Sequence, residues 1–133
     1  MQKLNLENKT IFITGAAGFI GSNLVLELMQ TLKATYIIGM DNMNDYYDVS
    51  LKDYRLEQIK KAAEKKPEIK WTFIRGNIAD RTAIDDIFAT YKPEVVVNLA
   101  AQAGVRYSIT NPDAYVEANL IGFYNILEAC RHS

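Results

Sequence analysis

Three glycines, Gly15, Gly18 and Gly21, and one carboxylate, Asp41, have types and a spacing that suit a definite chemistry. The glycines follow Thr10-Ile11-Phe12-Ile13-Thr14, a short apolar run with β-branched residues, and lead into an apolar-periodic segment from Ser22 to Met29. That is a strand, a tight turn and a helix. Such a turn sets backbone N–H groups and the positive end of a helix against an anion, usually a pyrophosphate. Gly15 permits the turn out of the strand, Gly18 removes a Cβ from the anion's path, and Gly21 lets helix and strand pack closely. The spacing is Gly-x-x-Gly-x-x-Gly, one residue longer than the Gly-x-Gly-x-x-Gly form, and a ligand-free strand-to-helix turn is the competing reading. A second apolar run, Tyr36 to Met40, ends in Asp41, twenty residues beyond Gly21. An acidic residue there accepts hydrogen bonds from both ribose hydroxyls of an adenosine and repels a 2′-phosphate, which points to NAD over NADP.

The elements that must hold these residues follow from the hydrophobic period. Strands are predicted at Thr10–Thr14, Thr35–Met40, Lys70–Arg75 and Val95–Leu99. Helices are predicted at about Phe19–Leu32, Leu51–Lys66, Arg81–Tyr91 and Asp113–Arg131. Leu24, Val25, Leu28 and Leu32 form the buried stripe of the first helix. Leu56, Ile59 and Ala63 face inward on the second, with Lys60, Lys61, Lys65 and Lys66 outside. Asp80 is placed to cap the third helix, whose apolar positions are Ile84, Ile87 and Phe88. The last presents Val116, Leu120, Phe123 and Leu127 on one face, after Asn111-Pro112. Between strand four and that helix, Ala100 to Gly104 is a small-residue turn and Val105 to Ser108 a connection. Strands alternating with helices demand right-handed crossovers, hence an α/β Rossmann-type doubly wound parallel sheet, most simply in order 3-2-1-4. Residues 1–133 read as one domain.

Bulk properties exclude several function classes. The chain has 133 residues and a net charge of −1, so no electrostatic field favours nucleic acid or an anionic membrane. The lysines of the second helix are offset by Glu57, Glu64 and Glu68 and read as a solvated face. No run approaches the ~20 apolar residues of a membrane span, and residues 1–9 carry no signal-peptide core. Cys130 is the single cysteine, read as a small apolar residue on a helix in a reducing, cytoplasmic protein. His132 has no assigned role. Asp45, Asp48 and Asp53 lack the spacing of a calcium loop, so no metal is expected.

The set Gly15-x-x-Gly18-x-x-Gly21, Asp41-Asn42, Gly76-Asn77-Ile78-x-Asp80, Asn98-Leu99-Ala100-Ala101 and Asn119-x-x-Gly122 resembles the extended short-chain dehydrogenases/reductases, within them the nucleotide-sugar epimerases and dehydratases. The stretches Asp41 to Lys52 and Ala101 to Ser108 are most similar to bacterial UDP-glucuronate 4-epimerases. The resemblance covers the whole chain but only the first part of a typical family member. It implies a nucleotide-sugar substrate and an NAD cofactor that takes and returns a hydride at the sugar C4, in supply of surface-polysaccharide precursors. It places Gly15, Gly18, Phe19, Ile20 and Gly21 at the pyrophosphate, with Asp41 and Asn42 on the adenosine ribose. Asn77 and Ile78 would flank the adenine, although many relatives carry Asp where this chain has Asn77. Leu99, Ala100 and Ala101 would line the ribose on the nicotinamide side, with Asn119 behind that site. Asn98 stands where relatives often have His.

The family's chemistry also uses a Tyr-x-x-x-Lys pair, and none of the eight tyrosines here is followed by lysine at the fourth position. The expectation is therefore a cofactor-binding piece of an epimerase, inactive alone. A 4,6-dehydratase or reductase is the alternative within the family, and a non-catalytic NAD-sensing module the alternative outside it. Arg106 reads either as a partner for a uronic-acid carboxylate or as a loop arginine facing solvent. Tyr46 and Tyr47 border the cofactor or sugar, or pack locally. A sheet ending in the apolar fourth strand implies self-association, as a homodimer or across that edge.

Overall fold

The computed structural model describes residues 4–45 and 48–133. Four parallel strands, β1 (Thr10–Thr14), β2 (Thr35–Asp41), β3 (Ile69–Arg75) and β4 (Val95–Asn98), lie in the order β3-β2-β1-β4. The predicted order is the observed one. In register, Phe12 sits between Ile38 and Val96.

The period of two in β1 divides the core between the two faces of the sheet. Ile11 and Ile13 join Ile37 and Ile69 under α1 (Phe19–Thr31) and α2 (Val49–Glu64), where Val25, Leu28, Met29 and Ile59 close the layer. Phe12, Ile38 and Met40 lie on the other face, under α3 (Arg81–Tyr91) and the last helical segment, with Ile84, Ile87, Ile126 and Ala129. Phe12 meets Phe88 edge to face, centroids 5.9 Å apart. Both faces are covered, which is why β1 and β2 read as continuous apolar runs.

Three sequence expectations need correction. The connection after β4 contains a helix, α4 (Val105–Thr110). The final helix is three segments in succession: α5 (Pro112–Tyr115), a π-helical stretch (Val116–Gly122) and α6 (Phe123–His132). Its apolar face of Val116, Leu120, Phe123 and Leu127 is exposed, while Gly122, Asn125, Ile126 and Ala129 turn to the core. Small residues suffice there because Gly122 lies directly on Ile78, and an added Cβ would run into that side chain. Lys66 does not face solvent. Its Nζ donates to the carbonyls of Met29, at 2.9 Å, and Leu32, so it closes the C-terminal end of α1 from the neighbouring segment.

Local caps explain the other boundaries. Asp80 accepts from Ala83 N at the start of α3, and Asp48 from Ser50 N at the start of α2. Pro112 occupies the first position of α5. Among the described residues, no helix is long and apolar enough to cross a membrane.

Candidate functional site

The carboxyl ends of the strands open into a cavity of about 630 Å³, the size of a small-molecule site. It lies where the sheet order reverses, between the turn after β1 and the turn after β4, the place where open α/β sheets bind ligands.

The glycines of the first turn do different work. Gly15 has φ +70°, and a Cβ there would lie 2.8 Å from the Leu99 backbone. Gly21 has no room for a Cβ because the carbonyl of Gly15 occupies it. Both are required by packing between the turn, β4 and α1. Gly18 is different: its φ of −74° suits any residue, and a Cβ would stand 3.2 Å from the Gly15 oxygen. It lines the cavity as the N-cap of α1 and supplies no side-chain acceptor to the first turn. The positive helix end is thus left to an outside anion.

Asp41 ends β2 beside this turn and is buried. Its Oδ2 accepts from Ala17 N at 3.1 Å; its Oδ1 accepts from Met43 N at 2.8 Å and from Lys52 Nζ at 3.0 Å. A carboxylate offers about four lone-pair sites, so roughly one remains for a ligand hydroxyl. Lys52 also reaches Asn44 Oδ1 at 3.4 Å. Arg55, one turn along α2, donates to Ala17 O at 3.1 Å. Lys52 and Arg55 line the cavity and were not among the sequence candidates. A signal for Lys52 existed, since it sits one turn ahead of the inward positions Leu56, Ile59 and Ala63.

The far wall is built by β4 and its turn. Thr14 Oγ1 donates to Asn98 Oδ1 and accepts from Leu99 N at 3.0 Å and Ala100 N at 3.1 Å, which fixes the turn to β1. Asn98 is therefore a structural partner of Thr14. Leu99, Ala100 and Ala101 line the cavity. Asn119 does not; its amide grips the Gln102 backbone from behind, accepting from N at 3.0 Å and donating to O at 3.2 Å.

Of the other sequence candidates, Phe19, Asn42, Asn77 and Ile78 line the cavity, whereas Ile20, Gly21 and Arg106 do not. Arg106 is exposed on α4. Tyr46 and Tyr47 lie outside the described residues. Cys130 is exposed on α6, and partial desolvation pushes its thiol up. His132 and Arg131 sit beside Glu128, which Arg131 above all holds below the usual carboxylate range.

Comparison with known proteins identifies the family and the fold. Residues 12–133 match the family model described as GDP-mannose 4,6 dehydratase. Protein CapI of Staphylococcus aureus is 49% identical over 122 residues, which are 92% of this chain and 34% of that protein. The probable UDP-glucuronate 4-epimerase of Rhizobium meliloti (strain 1021) is 41% identical over 119 residues, 90% of this chain and 33% of its own. Among solved structures, the UDP-glucose 4-epimerase of Thermus thermophilus in complex with NAD matches with a TM-score of 0.68 at 30% identity. That match covers 92% of this chain and 34% of the other. The chain thus spans about a third of the length of these relatives.

Proposed function

The chain belongs to the GDP-mannose 4,6-dehydratase family, a group of extended short-chain dehydrogenase/reductase epimerases and dehydratases acting on nucleotide sugars, and on that premise we propose that it is the NAD-binding portion of a UDP-glucuronate 4-epimerase. The likeness to the Rhizobium epimerase supports the substrate, and the observation that carries the NAD part of this reading is the hydrogen bond from Ala17 N to Asp41 Oδ2. It joins the glycine turn, made for a pyrophosphate, to the carboxylate made for a ribose, so both ends of an adenosine diphosphate meet one rigid frame.

The residues fit the cofactor. An uncapped helix start beside a glycine without Cβ suits two phosphates, and Asp41 keeps acceptor capacity for one hydroxyl. Asn42 borders the same ribose, Asn77 and Ile78 the adenine, and Leu99, Ala100 and Ala101 the second ribose, with Asn119 fixing that turn. When bound, NAD supplies acceptance and return of a hydride at the sugar C4. This chain's own residues bind and orient the cofactor, and none of its tyrosines is followed by lysine at the fourth position.

Calorimetric titration tests the reading. NAD is expected to bind saturably, more weakly than about 1 μM, and Asp41→Asn to lower affinity about tenfold through loss of the charged acceptor. An absence of NAD binding would overturn it. For the substrate, a reading frame that continues to a Tyr-x-x-x-Lys pair supports an enzyme, and one that does not supports an NAD-sensing module. A second reading, a 4,6-dehydratase, is favoured by the description of the matching family model. A dehydratase releases water whereas an epimerase returns an isomer of equal mass, so product mass separates the two.

A further inference from the structure

We propose that Glu117, held in place by Asn77, is the acceptor that reads the exocyclic amino group of the cofactor's adenine; this rests on the NAD reading above and deepens it. With the pyrophosphate at the glycine turn and the ribose at Asp41, the base must lie against the next segment of wall. That segment is Gly76–Ile78, because Gly76 N donates to Asp41 O at 3.1 Å. Met40 and Ile78 are almost fully buried and reach this part of the cavity only at its wall, and Asn77 and Glu117 line the cavity beside them.

The amide oxygen of Asn77 is already engaged by the backbone, and its donor is the group turned to Glu117. Its Oδ1 accepts from Ala79 N at 2.9 Å, which fixes the amide so that Nδ2 faces outward and donates to Glu117 Oε1 at 2.9 Å. A donor cannot recognise the N6 amino group, which is itself a donor. Glu117 can: Asn77 occupies one lone pair of one oxygen, and among the described residues no cation pairs with this carboxylate. A charged acceptor therefore stands one side chain beyond residue 77.

Glu117 is also held in register. It lies in the π-helical stretch, and α6 immediately beyond is fixed to the same wall: Asn125 Nδ2 donates to Ile78 O at 2.9 Å, buried, and Gly122 packs on the Ile78 side chain. Wide helical turns of this kind recur at functional sites.

The test is the affinity ratio of NAD to nicotinamide hypoxanthine dinucleotide, whose base carries a carbonyl in place of the amino group. The wild-type chain is expected to prefer NAD at least about tenfold, as for a hydrogen bond to a charged group. Glu117→Ala is expected to bring the ratio to within about twofold, and Glu117→Gln, which keeps a neutral acceptor, to lower it in part, with unchanged circular dichroism. Adding Asn77→Asp to Glu117→Ala, which moves the acceptor back to position 77, is expected to restore the preference. A wild-type ratio near one, or a ratio unmoved in both Glu117 variants, overturns the proposal while leaving the NAD reading intact. Binding of neither dinucleotide overturns both.

Discussion

At the scale of single residues, the three glycines separate stability from binding. Gly21→Ala forces a Cβ into the Gly15 carbonyl, backbone that cannot yield without moving the turn. It is expected to cost about 2–3 kcal/mol in urea unfolding followed by circular dichroism, as overpacking does. Gly18→Ala has ordinary φ and only a tight contact, so its stability should fall by less than about 1 kcal/mol. Its effect belongs to the ligand: in the proposed NAD pose the new methyl stands where phosphate oxygens approach the first turn of α1, and NAD affinity should fall at least tenfold on the scale of a lost charged contact. The buried pair of Lys52 and Asp41 behaves as one unit. Lys52→Met leaves the carboxylate with two backbone donors, so a loss of about 1–3 kcal/mol is expected. In a double-mutant cycle with Asp41→Asn the two losses should fail to add by at least about 0.5 kcal/mol; strict additivity would dissolve the pair as a unit. Asp41 was legible from its distance to the glycines. Lys52 carried only the weaker signal of its place one turn ahead of Leu56, which fixes its face of the helix but not the carboxylate it pairs with.

At the scale of elements, the strands and first three helices were legible because each has covered neighbours and an unbroken period. The final helix misled because periodicity locates an apolar face without saying which side has a neighbour. Val116, Leu120, Phe123 and Leu127 made the stronger stripe, but the sheet took the side carrying Gly122 and Ala129, where close approach to Ile78 outweighs side-chain bulk. The segment α4 was missed because six residues give too short a period to read. One joint between elements makes a pH prediction. Glu7, ahead of β1, accepts from Lys33 N at 2.9 Å and Ala34 N at 3.1 Å, and these bonds hold its carboxyl below the usual range. A lowered folded-state value means stabilisation present above the unfolded pKa and lost as pH falls through the folded one. Glu7→Gln should therefore melt lower than wild type at pH 7, and the two melting curves should converge in acid. A gap that persists below the carboxylate range would assign the effect to something other than charge.

At the scale of the whole molecule, the exposed surfaces follow from the order of the strands and the packing of the last helix. Among the described residues β4 is an edge strand of the sheet, and the outer side of the last helix exposes Leu120, Phe123, Tyr124 and Leu127. Exposed edges and contiguous apolar faces associate. Light scattering is expected to show mass above the monomer, rising with concentration and reduced by Leu120→Glu with Leu127→Glu. A monomeric mass at high concentration would contradict this. Relatives three times the length of this chain have further residues with which to cover such surfaces.

The π-helical stretch carries one consequence for divergence among homologues. Widening a helix there accommodates a residue that a regular spiral would not, and it lies between two anchors to the same wall, Glu117 on Asn77 and Asn125 on Ile78. A homologue with one residue deleted between these anchors would have a more regular backbone and a rotated phase, keeping one anchor at the expense of the other. Alignment gaps at this point of the family are thus expected to travel with the identity of the residue at position 77.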